Sequence, residues 1–164
     1  MPADQPRPQP NGSPTLSALL PLLHESLARE GRFVLPLTGV SMAPTLPAAC
    51  RVEIVPLPPD PQTLPLGSQI VFATGDLLIT HRLVVRRRMR GEMRWIAQGD
   101  GRRVADVPVL PEQVLGYVVR AMDETGQPLW PRPGERGRAV WWILRHHGLA
   151  WLHFLWRRLR PRRG

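Results

Sequence analysis

Apolar positions change their spacing along the chain. Leu16, Leu19, Leu20, Leu23 and Leu27 recur at helical intervals and Gly31 stands where a helix would stop, so residues 15–31 predict a short amphipathic helix with Pro21 inside it. From Arg32 to Arg120 the period shortens. FVLPL, RVEIV, QIVF, DLLITHRLVV, MRWIAQ and VLGYVV are short β-type runs divided by Gly and Pro. The expected fold class is therefore all-β, a small sandwich or partly closed barrel over residues 32–121. Ala73–Asp76 and Met89–Glu92 read as hairpin turns, and PLPPDPQTLPLG at 56–67 as a loop, because proline cannot serve a central strand. In the long run, period-two alternation puts Leu77, Ile79, His81, Leu83 and Val85 on one face.

The flanks read differently. Residues 1–14 hold five prolines and predict a disordered lead, 122–137 a linker, and 138–164 a Trp/Arg-rich amphipathic helix. The tail's longest stretch without Arg or acid, His146 to Trp156, would reach only about 16 Å as a helix, against roughly 30 Å of hydrocarbon. It suits the headgroup region of an anionic membrane, as a peripheral contact, or packing on the β domain or a partner chain. The lead lacks a positive n-region and the first apolar run starts only at Leu16, so no secretory signal is expected and the predicted location is cytoplasmic, peripheral at the inner membrane face.

Composition narrows the chemistry. All 22 basic residues are arginine. Without a lysine amine, Schiff-base chemistry, a P-loop and a Ser-Lys dyad are all excluded, because guanidinium does not give up its proton. The single Cys50 excludes an intramolecular disulfide; as a nucleophile it is the weaker choice beside a role filling a strand edge. His146 and His147 are adjacent, do not converge on a helix and have no third ligand, so neither metal nor cofactor is expected. Residues 1–131 carry 13 Arg against 12 acids, whereas 132–164 carry nine Arg against Glu135. The net charge of +9 thus belongs mainly to the tail, and no specific nucleic acid is expected as partner. Arg86, Arg87, Arg88 and Arg90 read as a solvated hairpin end.

Thr38-Gly39-Val40-Ser41-Met42-Ala43-Pro44-Thr45-Leu46 sets a serine in a bend between two strand candidates. A hydroxyl fixed there can act as nucleophile if a base takes its proton and backbone N–H groups receive an oxyanion. Gly39 through Leu46 resembles the Gly-x-Ser-Met-x-Pro-Thr-Leu box of the type I signal peptidase clan, and Met42 and Pro44 support that match. Gly67-Ser68-Gln69-Ile70-Val71-Phe72 is similar to the clan's Gly-Asp-Ile-Val-x-Phe strand, with Ser68 in the Asp position and Gln69 as an insertion or shift. His81-Arg82-Leu83-Val84 resembles the third box of the His-type, endoplasmic-reticulum and archaeal branch. Gly99-Asp100 with the later Asp106 resembles its fourth. The resemblance covers about residues 35–120 and neither flank.

What it implies is a serine endopeptidase cutting an extended peptide held along a strand edge, after small residues. Ser41 would be the nucleophile, His81 the base and Asp106 the orienting carboxylate, with Asp100 as the alternative orienter. Oxyanion donors would come from the Ser41 N–H, then Gly39 or the Thr38 hydroxyl. Each assignment has a packing rival: His81 as a core histidine on an apolar face, Asp100 as a turn former. The clan's members are ordinarily held by an N-terminal membrane helix, which this chain does not show. A catalytically silent module binding membrane or another anionic partner through its tail is the alternative function. A self-cleaving repressor is set aside, since it needs a lysine and a DNA-binding domain.

Overall fold

The computed structural model describes residues 16–131. The expected lead at 1–14, the end of the linker and the tail helix at 138–164 lie outside the described residues. The predicted helix is present as α1 (Leu16–Glu30), with Pro21 tolerated inside it. Gly31 ends it at φ +68° while its N–H donates to Leu27 at 2.9 Å, a left-handed stop that glycine adopts without steric cost. One face of α1, Leu20, Leu23 and Leu27, packs on the core.

Seven strands follow: β1 (Phe33–Pro36), β2 (Arg51–Val55), β3 (Gln69–Thr74), β4 (Leu77–Met89), β5 (Glu92–Gln98), β6 (Val114–Met122) and β7 (Pro128–Trp130). They form one antiparallel sheet in the order β1-β2-β6-β3-β4-β5, with β7 on β6. The all-β expectation holds at this level. The strands make a single sheet instead of a two-sheet sandwich, and it does not close into a barrel, since β1 and β5 end the order without pairing to each other. Both hairpin turns form as expected: Thr74 pairs Leu77 across Gly75 at φ +55°, and Met89 pairs Glu92 across Arg90 and Gly91, both at positive φ as a type I′ turn requires. The 56–67 loop carries only a 3-10 turn at Pro61–Thr63.

Two apolar clusters lie on opposite faces. Val71 of β3 belongs to one, with Met42, Leu46, Val52 and Leu115, while its neighbours Ile70 and Phe72 belong to the other, with Leu83, Trp95 and Val109. The alternation expected for β4 fails at its ends. Leu77, at the hairpin, is 66% exposed. A bulge between Leu83 and Val85 reverses the parity, so Arg86, three residues after Leu83, pairs with Trp95 on the apolar side. Arg86 is correspondingly not a solvated charge: its guanidinium lies 5.2 Å over the Trp95 ring and donates to the Gln62 carbonyl at 3.1 Å.

The expected linker also begins too early. Residues 123–130 make a further hairpin, in which Asp123 Oδ1 accepts from Thr125 Oγ1 at 2.7 Å and from the Gln127 N–H at 2.8 Å. These bonds, the Thr125 hydroxyl foremost, hold the Asp123 carboxyl below its ordinary range. Trp130 then packs against the α1-side cluster. Turn chemistry at Asp-Glu-Thr-Gly resembles linker composition, which is why sequence alone did not separate them.

β6 crosses β2 so closely that Gly116 has no room for a side chain: a Cβ there would run into the Val55 carbonyl oxygen and stand 2.9 Å from Ile54 Cγ2. Gly116→Ala is expected to destabilise the domain by roughly 2–3 kcal/mol, read as a lowered urea midpoint with an unchanged slope. A midpoint equal to that of the unsubstituted chain would contradict this packing.

Candidate active site

Three segments meet at one end of β4. The first is the loop from Gly39 to Leu46, which hangs from the core by Met42 and Leu46, 2% and 0% exposed. Two internal bonds tighten it, Ala43 N–H to Val40 O at 3.0 Å and Leu46 N–H to Met42 O at 2.9 Å. Ser41, immediately before the Met42 anchor, is partly exposed. The second segment is β4 itself, where His81 pairs with Ile70 and is 2% exposed, its ring edge-on to Phe72 with centroids 6.4 Å apart. The third is the 99–106 loop, returned to the sheet by the Asp106 N–H, which donates to the Ala97 carbonyl at 2.8 Å.

His81 joins the other two. Its Nδ1 is 2.5 Å from Asp106 Oδ2 and its Nε2 is 2.9 Å from Ser41 Oγ. A carboxylate only accepts, so the proton of a neutral ring sits on Nδ1 and the Nε2 lone pair faces the serine hydroxyl, which donates to it. Burial of the ring and its contact with Phe72 restrict the alternatives. Ser41, His81 and Asp106, named from the sequence, are thus brought within hydrogen-bond reach of one another. The Ser41 and Gly39 N–H groups donate to nothing among the described residues, while Thr38 is exposed at the entrance.

Gly99 sets the spacing of serine and histidine. A Cβ at Gly99 would stand 2.5 Å from the Ser41 carbonyl oxygen and 2.8 Å from His81 Nε2, so any side chain would wedge the pair apart. Two residues on, the Gly101 N–H donates to that same Ser41 carbonyl at 2.9 Å. The 99–101 turn therefore grips the serine's own backbone, a contact that spacing along the chain did not reveal.

Asp100, the rival orienter, does not reach His81. Arg82 clamps it with two bonds, Nε to Oδ1 at 2.8 Å and Nη2 to Oδ2 at 2.7 Å, and the Thr45 hydroxyl donates to Oδ2 at 2.5 Å. Arg82 Nη1 also donates to the Gly67 carbonyl at 2.7 Å. Both charged side chains are 2% exposed. Their role is to tie β4, the serine loop, the 99–101 turn and the Gly67 loop together. Thr45 had no signal of its own as a site residue; it was one position in a matched box.

The remaining candidates fall outside this centre. Pro44 follows a cis peptide bond in the serine loop. Cys50 is 1% exposed in the α1-side core, and burial pushes its thiol above the ordinary value, which keeps it protonated and poorly nucleophilic. His24 is exposed on α1, and His146, His147 and His153 lie outside the described residues. No group of three metal-binding side chains occurs among the described residues. Beside the serine loop an open groove of about 710 Å³ is lined by Pro36, Leu37, Thr38, Ala48, Ala49, Arg51 and Glu124.

The two aspartates should respond unequally to loss of charge. Asp100→Asn removes the charge that Arg82 grips with two buried hydrogen bonds and is expected to cost about 3 kcal/mol or more in urea unfolding; Asp106→Asn, at a partly exposed position, is expected to change stability by about 1 kcal/mol or less. Equal effects would contradict the division of roles.

No family model matches the chain, and no curated protein matches it either.

Proposed function

We propose that the chain is a serine endopeptidase of the type I signal peptidase kind, His-type, cutting extended peptides with Ser41, His81 and Asp106. The observation that carries this reading is the unbroken line from Asp106 Oδ2 through both His81 nitrogens to Ser41 Oγ, at 2.5 and 2.9 Å. In this reading the Ser41 hydroxyl gives its proton to His81 Nε2 as Oγ attacks the scissile carbonyl. The Asp106 carboxylate stabilises the imidazolium that results and keeps the ring in the attacking tautomer. The Ser41 N–H, with the Gly39 N–H and the Thr38 hydroxyl behind it, supplies donors for the oxyanion. His81 then passes the proton to the departing amine, and water repeats the sequence to release the acyl half. No cofactor enters.

The substrate path follows from the open edge. Among the described residues β1 pairs only with β2, and in this reading a peptide adds to its other edge as a further strand. The groove at residues 36–38 adjoins that strand, and Ser41 follows Thr38 by three positions, a span of at most about 11 Å. A peptide added along β1 would fill the groove a few residues before it reached the nucleophile. No helix among the described residues is long and apolar enough to cross a membrane. Peripheral contact of the 138–164 tail with anionic lipid at the cytoplasmic face, the reading its Trp and Arg content supports, completes the proposal.

Hydrolysis of quenched fluorescent peptides bearing small residues tests it. Ser41→Ala and His81→Ala are expected to remove turnover, and Asp106→Asn to lower kcat by about 10³–10⁴-fold with the fold intact. Hydrolysis that persists in Ser41→Ala would overturn the assignment.

A further inference from the structure

Arg102 is the one cation of the 99–106 loop whose backbone is bonded to the site's own scaffold. Its N–H donates to Gly99 O at 2.9 Å and its carbonyl accepts from Gln98 Nε2 at 2.7 Å, so the stem of the side chain starts from a fixed point. Cγ then lies 3.1 Å from the place a Cβ would take on Gly99, a place itself 2.8 Å from His81 Nε2 and 2.5 Å from the Ser41 carbonyl oxygen. The stem therefore starts beside the Ser41–His81 pair, and the guanidinium is three bonds beyond Cγ. Arg102 is exposed, and its side chain has no hydrogen bond or ion pair among the described residues.

Among the described residues no carboxylate pairs with it. The two carboxylates of the same loop are engaged, Asp100 by Arg82 and Thr45, Asp106 by His81. Arg103, beside it, is also exposed and adds to the positive field. Exposed apolar residues also lie close by in sequence. Val40, Val104 and Val107, which flank Ser41 and Asp106 in sequence, are 70%, 75% and 77% exposed. A cationic fork set among apolar side chains recognises a carboxylate flanked by apolar residues.

Building on the peptidase reading, we propose that Arg102 is a specificity-determining residue that selects peptides with an Asp or Glu just after the scissile bond. The side follows from the chemistry. His81 Nε2 must hand its proton to the departing amine, so the residues that leave with that amine pass over Nε2, where the Arg102 stem lies. The pairing is exposed to solvent, so it contributes a modest preference that salt weakens.

The experiment compares peptides identical except for Glu or Gln at the first two positions after an Ala-Ala cut. Cleavage is measured on the full chain, and binding on the Ser41→Ala variant by fluorescence anisotropy. At low ionic strength the Glu peptides are expected to be favoured about three- to fivefold in kcat/KM or Kd. Arg102→Gln should bring that ratio near one, and Arg102→Glu should reverse it in favour of a Lys peptide, an inversion that a packing role would not produce. Half-molar salt should shrink the preference. A preference that persists in Arg102→Gln, or its absence in the unsubstituted chain, would overturn the assignment. Cleavage without preference removes this inference and leaves the peptidase reading standing; an Arg102-dependent binding preference without cleavage does the reverse.

Discussion

The buried pairing of Arg82 with Asp100 is the constraint on which the rest of the site depends. Desolvating two such charges costs several kcal/mol per ion, a cost offset only when the geometry is close and the remaining donors find acceptors. Here both guanidinium edges are used: one grips the carboxylate at 2.7 and 2.8 Å, the other reaches the Gly67 carbonyl at 2.7 Å. Thr45 then binds the same carboxylate from the serine loop. Four segments distant in sequence are thereby fixed to one point. His81 is the residue before Arg82 and Gly99 the residue before Asp100, so the pair that locks the scaffold also bears on the distance between His81 and Ser41.

Glycine supplies the rest of that distance. Gly99 lets the serine carbonyl and the histidine ring approach a backbone that any side chain would push away, and the Gly101 N–H holds that carbonyl. Bulges do the corresponding work in the sheet. The one between Leu83 and Val85 lets β4 bury Leu83 and Arg86 on one side although they are three residues apart. The strand can then carry apolar packing at its middle and an arginine stacked on Trp95 beyond it.

Much of this was legible in sequence, and the failures have physical causes. Six strands and the helix followed from period and punctuation, because each is a local pattern of apolar positions. Ser41, His81 and Asp106 were named from their residue types and from matched boxes. The choice between Asp100 and Asp106 needed the partner of Arg82, which depends on how the 99–106 loop folds back and not on spacing. That the strands form one sheet that does not close could not be read in advance, because strand patterns do not say which strands share a sheet or whether its two edges meet. The parity reversal in β4 and the hairpin at 123–130 were missed for a similar reason: a bulge leaves no mark on composition, and a hydrogen-bonded Asp turn shares its residues with a linker.

The central claim is that Ser41 is an activated nucleophile, its hydroxyl made reactive by the neutral His81 ring that Asp106 holds in place. Reaction of the purified chain with an activated phosphonate, followed by mass mapping of the adduct, addresses that claim without knowledge of the substrate. A single adduct on Ser41 that is lost in His81→Ala and forms more slowly in Asp106→Asn is the predicted result. An adduct on another residue, or one on Ser41 that forms equally fast without His81, would contradict it.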